Sequence, residues 1–178
     1  MNPLKIIEKY YKKDSKAYHF LVLHSKAVTK KALDIAKLNN GDLKFIEEAA
    51  MLHDIGIFKV KAPQIGCLGS LPYICHGYLG RGILESEDYP KHALVCERHV
   101  GTGLSKDKII KEKLPIPQRD MIPTSKEEQI ICLADKFFSK NKEFLEKEKS
   151  LKKIRSGFLR FGKKEVEKFD ELYAKFIL

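Results

Sequence analysis

The 178-residue chain contains no apolar run near the roughly 18 residues that a membrane-spanning helix needs, which argues against an integral membrane protein. Residues 1–16 alternate Lys and Tyr with short apolar pairs and hold no continuous apolar core of a secretion signal, so a cytoplasmic protein with no membrane partner is expected. Cysteine is scarce, and Cys67, Cys75, Cys96 and Cys132 include no Cys-x-x-Cys pair, which speaks against a zinc ribbon or a thioredoxin-type site. Reduced, partly buried thiols are the expectation, with a small metal cluster of Cys67, Cys75 and His76 as the weaker alternative. Internal repeats, low-complexity tracts and alternating strand patterns are also absent.

What is present is the composition of a soluble protein, 43% hydrophobic and 33% charged, in a chain long enough for one domain with a substantial core. The net charge is +10, and most of it has one location. Residues 140–168 hold eleven basic side chains against five glutamates. Lys and Glu interleaved at helical spacing read first as a solvated helix face, and second as a surface for a polyanion.

Almost every periodic segment reads as helix, so the fold class is all-α. Pro3 opens a short helix over Leu4–Lys12. Ser15 caps a long one over Lys16–Leu38, with Leu21, His24, Val28, Ala32 and Ile35 on one stripe. Asp42 caps the helix that delivers His53 and Asp54, and Gly56 is expected to end it in the left-handed conformation. The stretch Ile55–Cys75, interrupted by Pro63, Gly66, Gly69 and Pro72, reads as a loop of about twenty residues and a candidate lid.

Further helices are expected over His76–Glu87, Pro90–Val100 and Ser105–Glu112. After the proline-rich stretch Leu114–Thr124, Ser125 and Glu128 stand at capping-box spacing and open another. Two more are expected around Lys142–Ile154 and Lys163–Ile177, separated by Ser156-Gly157 and Gly162. The domain expected is a single unit over residues 1–178, with a helical core of about 16–140 and a basic C-terminal helical extension of about 141–178.

Six residues are polar where helical spacing predicts core. His24 lies between Leu21 and Val28, His53 follows Ala50 with Asp54 beside it, and His76 opens a helix. His99 ends another helix after Val95 and Cys96, and Asp135 lies between Ile131 and Phe138. One histidine on an apolar face is ordinarily a satisfied core residue, whereas a buried carboxylate needs donors or a cation. If all six converge, the simplest compensation is one or two divalent transition-metal ions such as Fe, Mn, Ni or Zn. Two ions roughly 3.5 to 4 Å apart can share a hydroxide and hold both oxygens of an in-line displacement at phosphorus. The chemistry that follows is hydrolysis of a phosphate ester or anhydride, with Asp54 and His53 at its centre.

The order His24, His53-Asp54, His76, His99, Asp135 resembles the H…HD…H…H…D pattern of the HD-domain metal-dependent phosphohydrolases, and His53-Asp54-Ile55-Gly56 resembles the subset named for H-D-I-G. Supporting strings are His24-Ser25, His76-Gly77 with Gly80, Arg98-His99 before Gly101-x-Gly103, and Leu133-Ala134-Asp135-Lys136. The resemblance runs from Lys16 to about Lys140 and leaves out the C-terminal tail. It implies an HD-domain helical bundle in which His24, His53, Asp54 and Asp135 hold one metal. Asp54 would bridge to a second metal held also by His76 and His99. Two departures disfavour cyclic-dinucleotide cleavage: Ile57 stands where that branch carries lysine, and Val100-Gly101-Thr102-Gly103-Leu104 replaces its Gly-Tyr-Pro signature.

Lys59, Arg98 and Lys136 neighbour the proposed ligands and could meet a substrate phosphate, surface or structural cations being the alternative. His19 and His92 match no position of the pattern. The function expected is a phosphohydrolase acting on a nucleotide or similar small phosphorylated substrate. Alternatives are a dinucleoside-polyphosphate hydrolase and a non-catalytic, metal-containing nucleic-acid binder using the basic tail, nucleic acid being the less favoured partner.

Overall fold

Side-chain caps decide where the helices of this chain begin. Ser15, Asp42, Ser105, Ser125 and Ser150 each accept a hydrogen bond from the backbone N–H three residues on, at 3.0–3.3 Å. Each such cap satisfies an orphan donor and contributes about 1 kcal/mol. The computed structural model describes residues 1–178, the side chain of Lys142 excepted. Among the described residues nine α-helices follow: α1 Pro3–Tyr10, α2 Lys16–Leu38, α3 Leu43–Leu52, α4 His76–Ser86, α5 Pro90–Arg98, α6 Lys106–Lys111, α7 Lys126–Lys136, α8 Leu151–Leu159 and α9 Lys163–Ile177. The all-α expectation holds, and α2 and α9 keep the expected bounds.

The stretch after Asp54 differs from the loop expected. The 3-10 turns Ile55–Lys59, Pro63–Ile65 and Tyr73–Cys75 frame an antiparallel pair, β1 Lys61–Ala62 and β2 Cys67–Leu68, with Lys61 opposite Leu68. Ile55, Ile57, Val60, Ala62, Ile65 and Cys67 are buried there. A segment with that many apolar side chains in the core is part of the scaffold, which removes the lid reading. Two-residue strands are too short to show an alternating pattern.

Gly56 also has another reason for being glycine. Positive φ among the glycines belongs to Gly66, Gly101, Gly103 and Gly162, and Gly56 is not of that set. A Cβ on Gly56 would lie 2.5 Å from the Gly80 backbone nitrogen and closer still to the His76 carbonyl oxygen. Glycine is required by the close approach of the 55–59 turn to α4, not by a left-handed helix stop.

In the tail, the helix expected over Lys142–Ile154 is replaced by a 3-10 turn at Lys142–Phe144, and α8 starts only after the Ser150 cap. Ser156 and Gly157 lie inside α8, and the break falls at Gly162, φ 114°. The capping box is half formed: Ser125 accepts from the Glu128 N–H, but the Glu128 carboxylate accepts from the Thr124 N–H at 2.8 Å.

The packing leaves a seam. Val28, Ala50, Val95, Ile131 and Phe169 belong to one buried apolar cluster, and Leu21, Leu52, Ile55 and Cys96 to another. Leu21 and Val28 flank His24 on α2, and Val95 and Cys96 precede His99. The polar residues singled out from the sequence therefore lie where the two clusters part. α8 and α9 add Ile154, Phe169 and Phe176 to the first cluster. No helix among the described residues is long and apolar enough to cross a membrane.

Candidate metal centre

Five elements bring the six residues together. His24 projects from the middle of α2, His53 is the C-cap of α3 with Asp54 next, His76 is the first residue of α4, His99 is the C-cap of α5, and Asp135 lies in the last turn of α7. Three helix C-termini thus face the centre against one N-terminus, which favours a cation there. His24, His53 and His99 are buried, and Asp54 has no exposed surface. The Asp135 side chain keeps 15% of its surface exposed and marks the open side.

Asp54 is the hinge of the arrangement. Its Oδ2 lies 3.2 Å from His24 Nε2 and 3.0 Å from His53 Nε2, and Asp135 Oδ1 lies 3.0 and 3.5 Å from the same two nitrogens. Its Oδ1 faces the other way, 3.4 Å from His76 Nε2 and 3.5 Å from His99 Nε2. Two ligand sets result, His24/His53/Asp54/Asp135 and Asp54/His76/His99, each with donor atoms within 4.8 Å of one another. Donors bound to one ion at about 2.1 Å stand about 3.0–3.4 Å apart at octahedral to tetrahedral angles, so the observed spacings fit.

The tautomers fit as well. His53, His76 and His99 each donate Nδ1–H to the carbonyl three residues back, Ala50, Tyr73 and Cys96, at 2.6–2.7 Å. A ring so held presents an unprotonated Nε2 as ligand. The Nε2 atoms of His76 and His99 then stand 3.1 Å apart with two lone pairs opposed, a contact that a shared cation resolves. Both Asp54 oxygens and His53 Nε2 are buried without a well-formed hydrogen bond. The Asp54 oxygens, with Oδ2 balanced by the Lys140 ammonium, are acceptors that a metal would satisfy, and a metal would replace the proton on His53 Nε2.

The charges follow from the same contacts. Burial works against ionised Asp54, yet Lys140 and His53 hold its carboxyl well below the usual range. Burial also disfavours the His53 imidazolium, but Asp54 and Asp135 outweigh it and hold the group up at about 9. Burial, with His99 adding to it, pushes His76 down to about 3. His99 is lowered by burial too.

Of the three cations expected near a substrate, the structure places one at the centre. Lys136 Nζ lies 2.8 Å from the His99 carbonyl and 2.7 Å from Asp135 Oδ2, on the wall of a hollow of about 250 Å³ that His76, His99 and Asp135 line. Arg98 Nη1 instead donates to both oxygens of buried Glu128 at 3.0 Å and ties the end of α5 to the start of α7. Lys59 is exposed, its ammonium 5.9 Å from the Phe58 ring centroid, and it does not line the hollow. All four cysteines are free and buried, and neither ligand set includes one. His19 is exposed, and His92 packs on Phe45 with Nε2 3.4 Å from Glu48.

Two lining residues were missed from the sequence. Lys140 pairs its ammonium with Asp54 Oδ2, and the Tyr73 ring packs against that of His76, tilted by 41° with centroids 4.8 Å apart. In the sequence Lys140 reads as the first cation of the basic tail, although it stands one turn beyond Lys136. Tyr73 had a signal only in its position three residues before His76.

Comparison with known proteins places this geometry. The model of a family described as HD domain matches residues 21–139. The chain is 31% identical over 127 residues to a tRNA (cytidine(56)-2'-O)-methyltransferase of Thermoplasma volcanium, covering 71% of this chain and 34% of that protein. It is 28% identical over 128 residues to the protein of the same name in Picrophilus torridus, again with 71% and 34% covered. An uncharacterized protein of Methanocaldococcus jannaschii is 31% identical over 121 residues, 65% of this chain and 64% of that one. The chain thus spans about a third of the length of the methyltransferases and just under two thirds of the third relative. The crystal structure of the HD domain of the L. monocytogenes phosphodiesterase PgpH superposes with a TM-score of 0.53 at 20% identity, over 96% of both chains, and shares the fold.

Proposed function

The chain belongs to the HD-domain family, and on that premise we propose that it is a metal-dependent phosphohydrolase cleaving a phosphate ester or anhydride of a nucleotide-containing substrate. The observation that carries this reading is Asp54: a fully buried carboxylate with one oxygen turned to each of two histidine sets. His24, His53, Asp54 and Asp135 would hold one divalent ion, and Asp54, His76 and His99 a second. Such ions, when bound, polarise a phosphoryl oxygen and make water acidic enough to attack at neutral pH.

The chain's own residues do the rest. The carbonyls of Ala50, Tyr73 and Cys96 fix three imidazole planes, so ligand geometry costs no reorganisation. Lys136 orients Asp135 and, with Lys140, brings positive charge to the open side, where phosphoryl oxygens would arrive. Tyr73 walls the hollow and limits water on that flank.

The test is to incubate purified protein with Mn²⁺ or Fe²⁺ and a panel of mononucleotides, dinucleoside polyphosphates and short RNAs, measuring released phosphate and nucleotide. Turnover that Asp54→Ala abolishes is expected. No turnover of any phosphoester under those conditions contradicts the reading. A second reading concerns the substrate. Two relatives are named for an activity on tRNA, and this favours a phosphate carried by RNA over one on a free nucleotide. Their methyl transfer is not carried over to a chain that matches only about a third of their length.

A further inference from the structure

The hollow at the metal centre does not end there. Asp135 and Lys136 also line a groove of about 590 Å³ between the end of α7 and α8. Lys149, Lys153, Arg160, Phe158 and Phe161 form much of its wall, and Asp135 is its one carboxylate. Of the tail's cations, Lys140 pairs with Asp54, Arg155 with Asp170 and Lys168 with Glu165. Among the described residues, Lys149, Lys153 and Arg160 have no carboxylate within 4.0 Å. Burial pushes Lys149 down to about 8, and Lys136, Lys140 and Lys153 push the same way against Asp135 alone. A cation crowded by cations is a place where an anion binds favourably.

The aromatic residues divide by role. Phe158 is anchored to the core, stacked at 5.6 Å on Phe169. Phe161 is 72% exposed. It also borders a further hollow, on whose wall Lys111, Lys163 and Lys164 stand among Asp107, Glu112 and Glu165. Three concavities therefore adjoin at shared residues, from the metal centre past Lys149 and Lys153 to an exposed ring, with a hollow of mixed charge beyond it. A mononucleotide would fill the first of them and leave the groove's cations unpaired. Cations along a track with an exposed aromatic face match a phosphodiester backbone with unpaired bases.

We propose that the reacting phosphate lies at the end of a single-stranded polynucleotide whose neighbouring nucleotides follow the groove between α7 and α8, with a base stacked on Phe161. This rests on the phosphohydrolase reading for the identity of the reacting group, but the binding track can be tested without turnover. Lys149, Lys153 and Arg160 would pair with successive backbone phosphates. The basic tail is then a substrate surface, not only a solvated face.

The experiment is fluorescence anisotropy of a labelled eight-nucleotide oligoadenylate RNA with the full chain in EDTA, titrated at several KCl concentrations. Wild-type binding should weaken steeply with salt. The triple variant Lys149→Ala/Lys153→Ala/Arg160→Ala should reduce the log–log salt slope by about 2, at about 0.7 per neutralised phosphate on a single strand. Phe161→Ala should weaken binding about tenfold at fixed salt with little change of slope. Lys153→Glu, at an exposed position, gives an independent charge test, and a thermal melt of each variant in EDTA establishes that it is folded. RNA binding that is undetectable, or equal in wild type and variants, overturns the proposal. So does displacement of the oligonucleotide by AMP, or by polyglutamate, as effective as that by unlabelled RNA. Wild-type hydrolysis of bis(p-nitrophenyl) phosphate with Mn²⁺ is scored separately, so loss of the hydrolase reading and loss of the track give different results.

Discussion

Replacing Gly56 by alanine should damage stability and the second ligand set together, because one close approach controls both. The new Cβ would lie 2.5 Å from Gly80 N and 3.0 Å from Gly80 Cα, where ordinary contacts begin near 3.4 Å. These are backbone atoms, so no rotamer change relieves the overlap. α4 also packs closely on α5, for a Cβ on Gly80 would lie 3.2 Å from the Cys96 Cβ and 3.3 Å from Gly56 N, so the helix has little room to adjust. Relief needs a shift of α4 by about 1 Å in a close-packed interior, at a cost of about 3 kcal/mol. For a chain of this length that is a fall in Tm of about 6–12 °C. His76 opens α4, so the same shift would spoil its 3.4 Å approach to Asp54 Oδ1, while His24, His53 and Asp135 stand on other elements. Thermal melts with metal titrations should therefore show a destabilised protein that keeps the first set and weakens the second. Gly82→Ala is the control: it lies on the exposed side of α4 with nothing within 4 Å and should stabilise by about 0.5–1 kcal/mol. A Gly56→Ala protein that melts with the wild type and binds metal identically would refute the packing argument.

Other expectations follow from the same contacts. Glu165 on α9 accepts from Thr102 Oγ1 at 2.9 Å and Lys108 Nζ at 2.8 Å; burial raises its pKa, but those donors outweigh it and hold it below the usual value. Its contribution is present above the ordinary carboxylate pKa and lost as pH falls through the depressed folded one, so Glu165→Gln should cost about 1–3 kcal/mol at pH 7, with the gap to wild type closing in acid urea melts. His53, held at about 9 without metal, contributes stability fully present below about 6.5 and lost as pH rises to about 9. Metal uptake at pH 7.5 should then release about one proton, read by calorimetry in buffers of different ionisation enthalpy; no release would contradict the assigned contacts. Lys140 competes with a cation for Asp54, so Lys140→Ala should bind Mn²⁺ at least about tenfold more tightly while phosphoester turnover falls; unchanged affinity counts against its placement.

Where the sequence was informative, the signal was local. Ser15, Asp42 and the apolar stripe of α2 carry their helices in short-range spacing, and the six polar interruptions of such stripes meet in one place. Where it was silent, the cause was non-local. Gly56 is small because α4 passes close by, which no helix-stop rule contains. Ile55–Cys75 folds on two-residue strands below the length at which a period exists. Ser150 outcompetes a continuous helix through a cap that the interleaved Lys and Glu concealed. The cations show it most plainly: Arg98 adjoins His99 in the chain yet serves Glu128, whereas Lys140, counted with the tail, reaches Asp54.

Metal content measured by mass spectrometry on protein purified without chelators, then reloaded with Mn²⁺, Fe²⁺ or Zn²⁺, tests the convergence itself. Wild type should hold between about one and two transition-metal ions per chain, His76→Ala about one, and Asp54→Ala almost none, since that carboxylate serves both sets. A wild-type chain that takes up no ion after loading, or an Asp54→Ala chain that holds as many as wild type, would contradict the account.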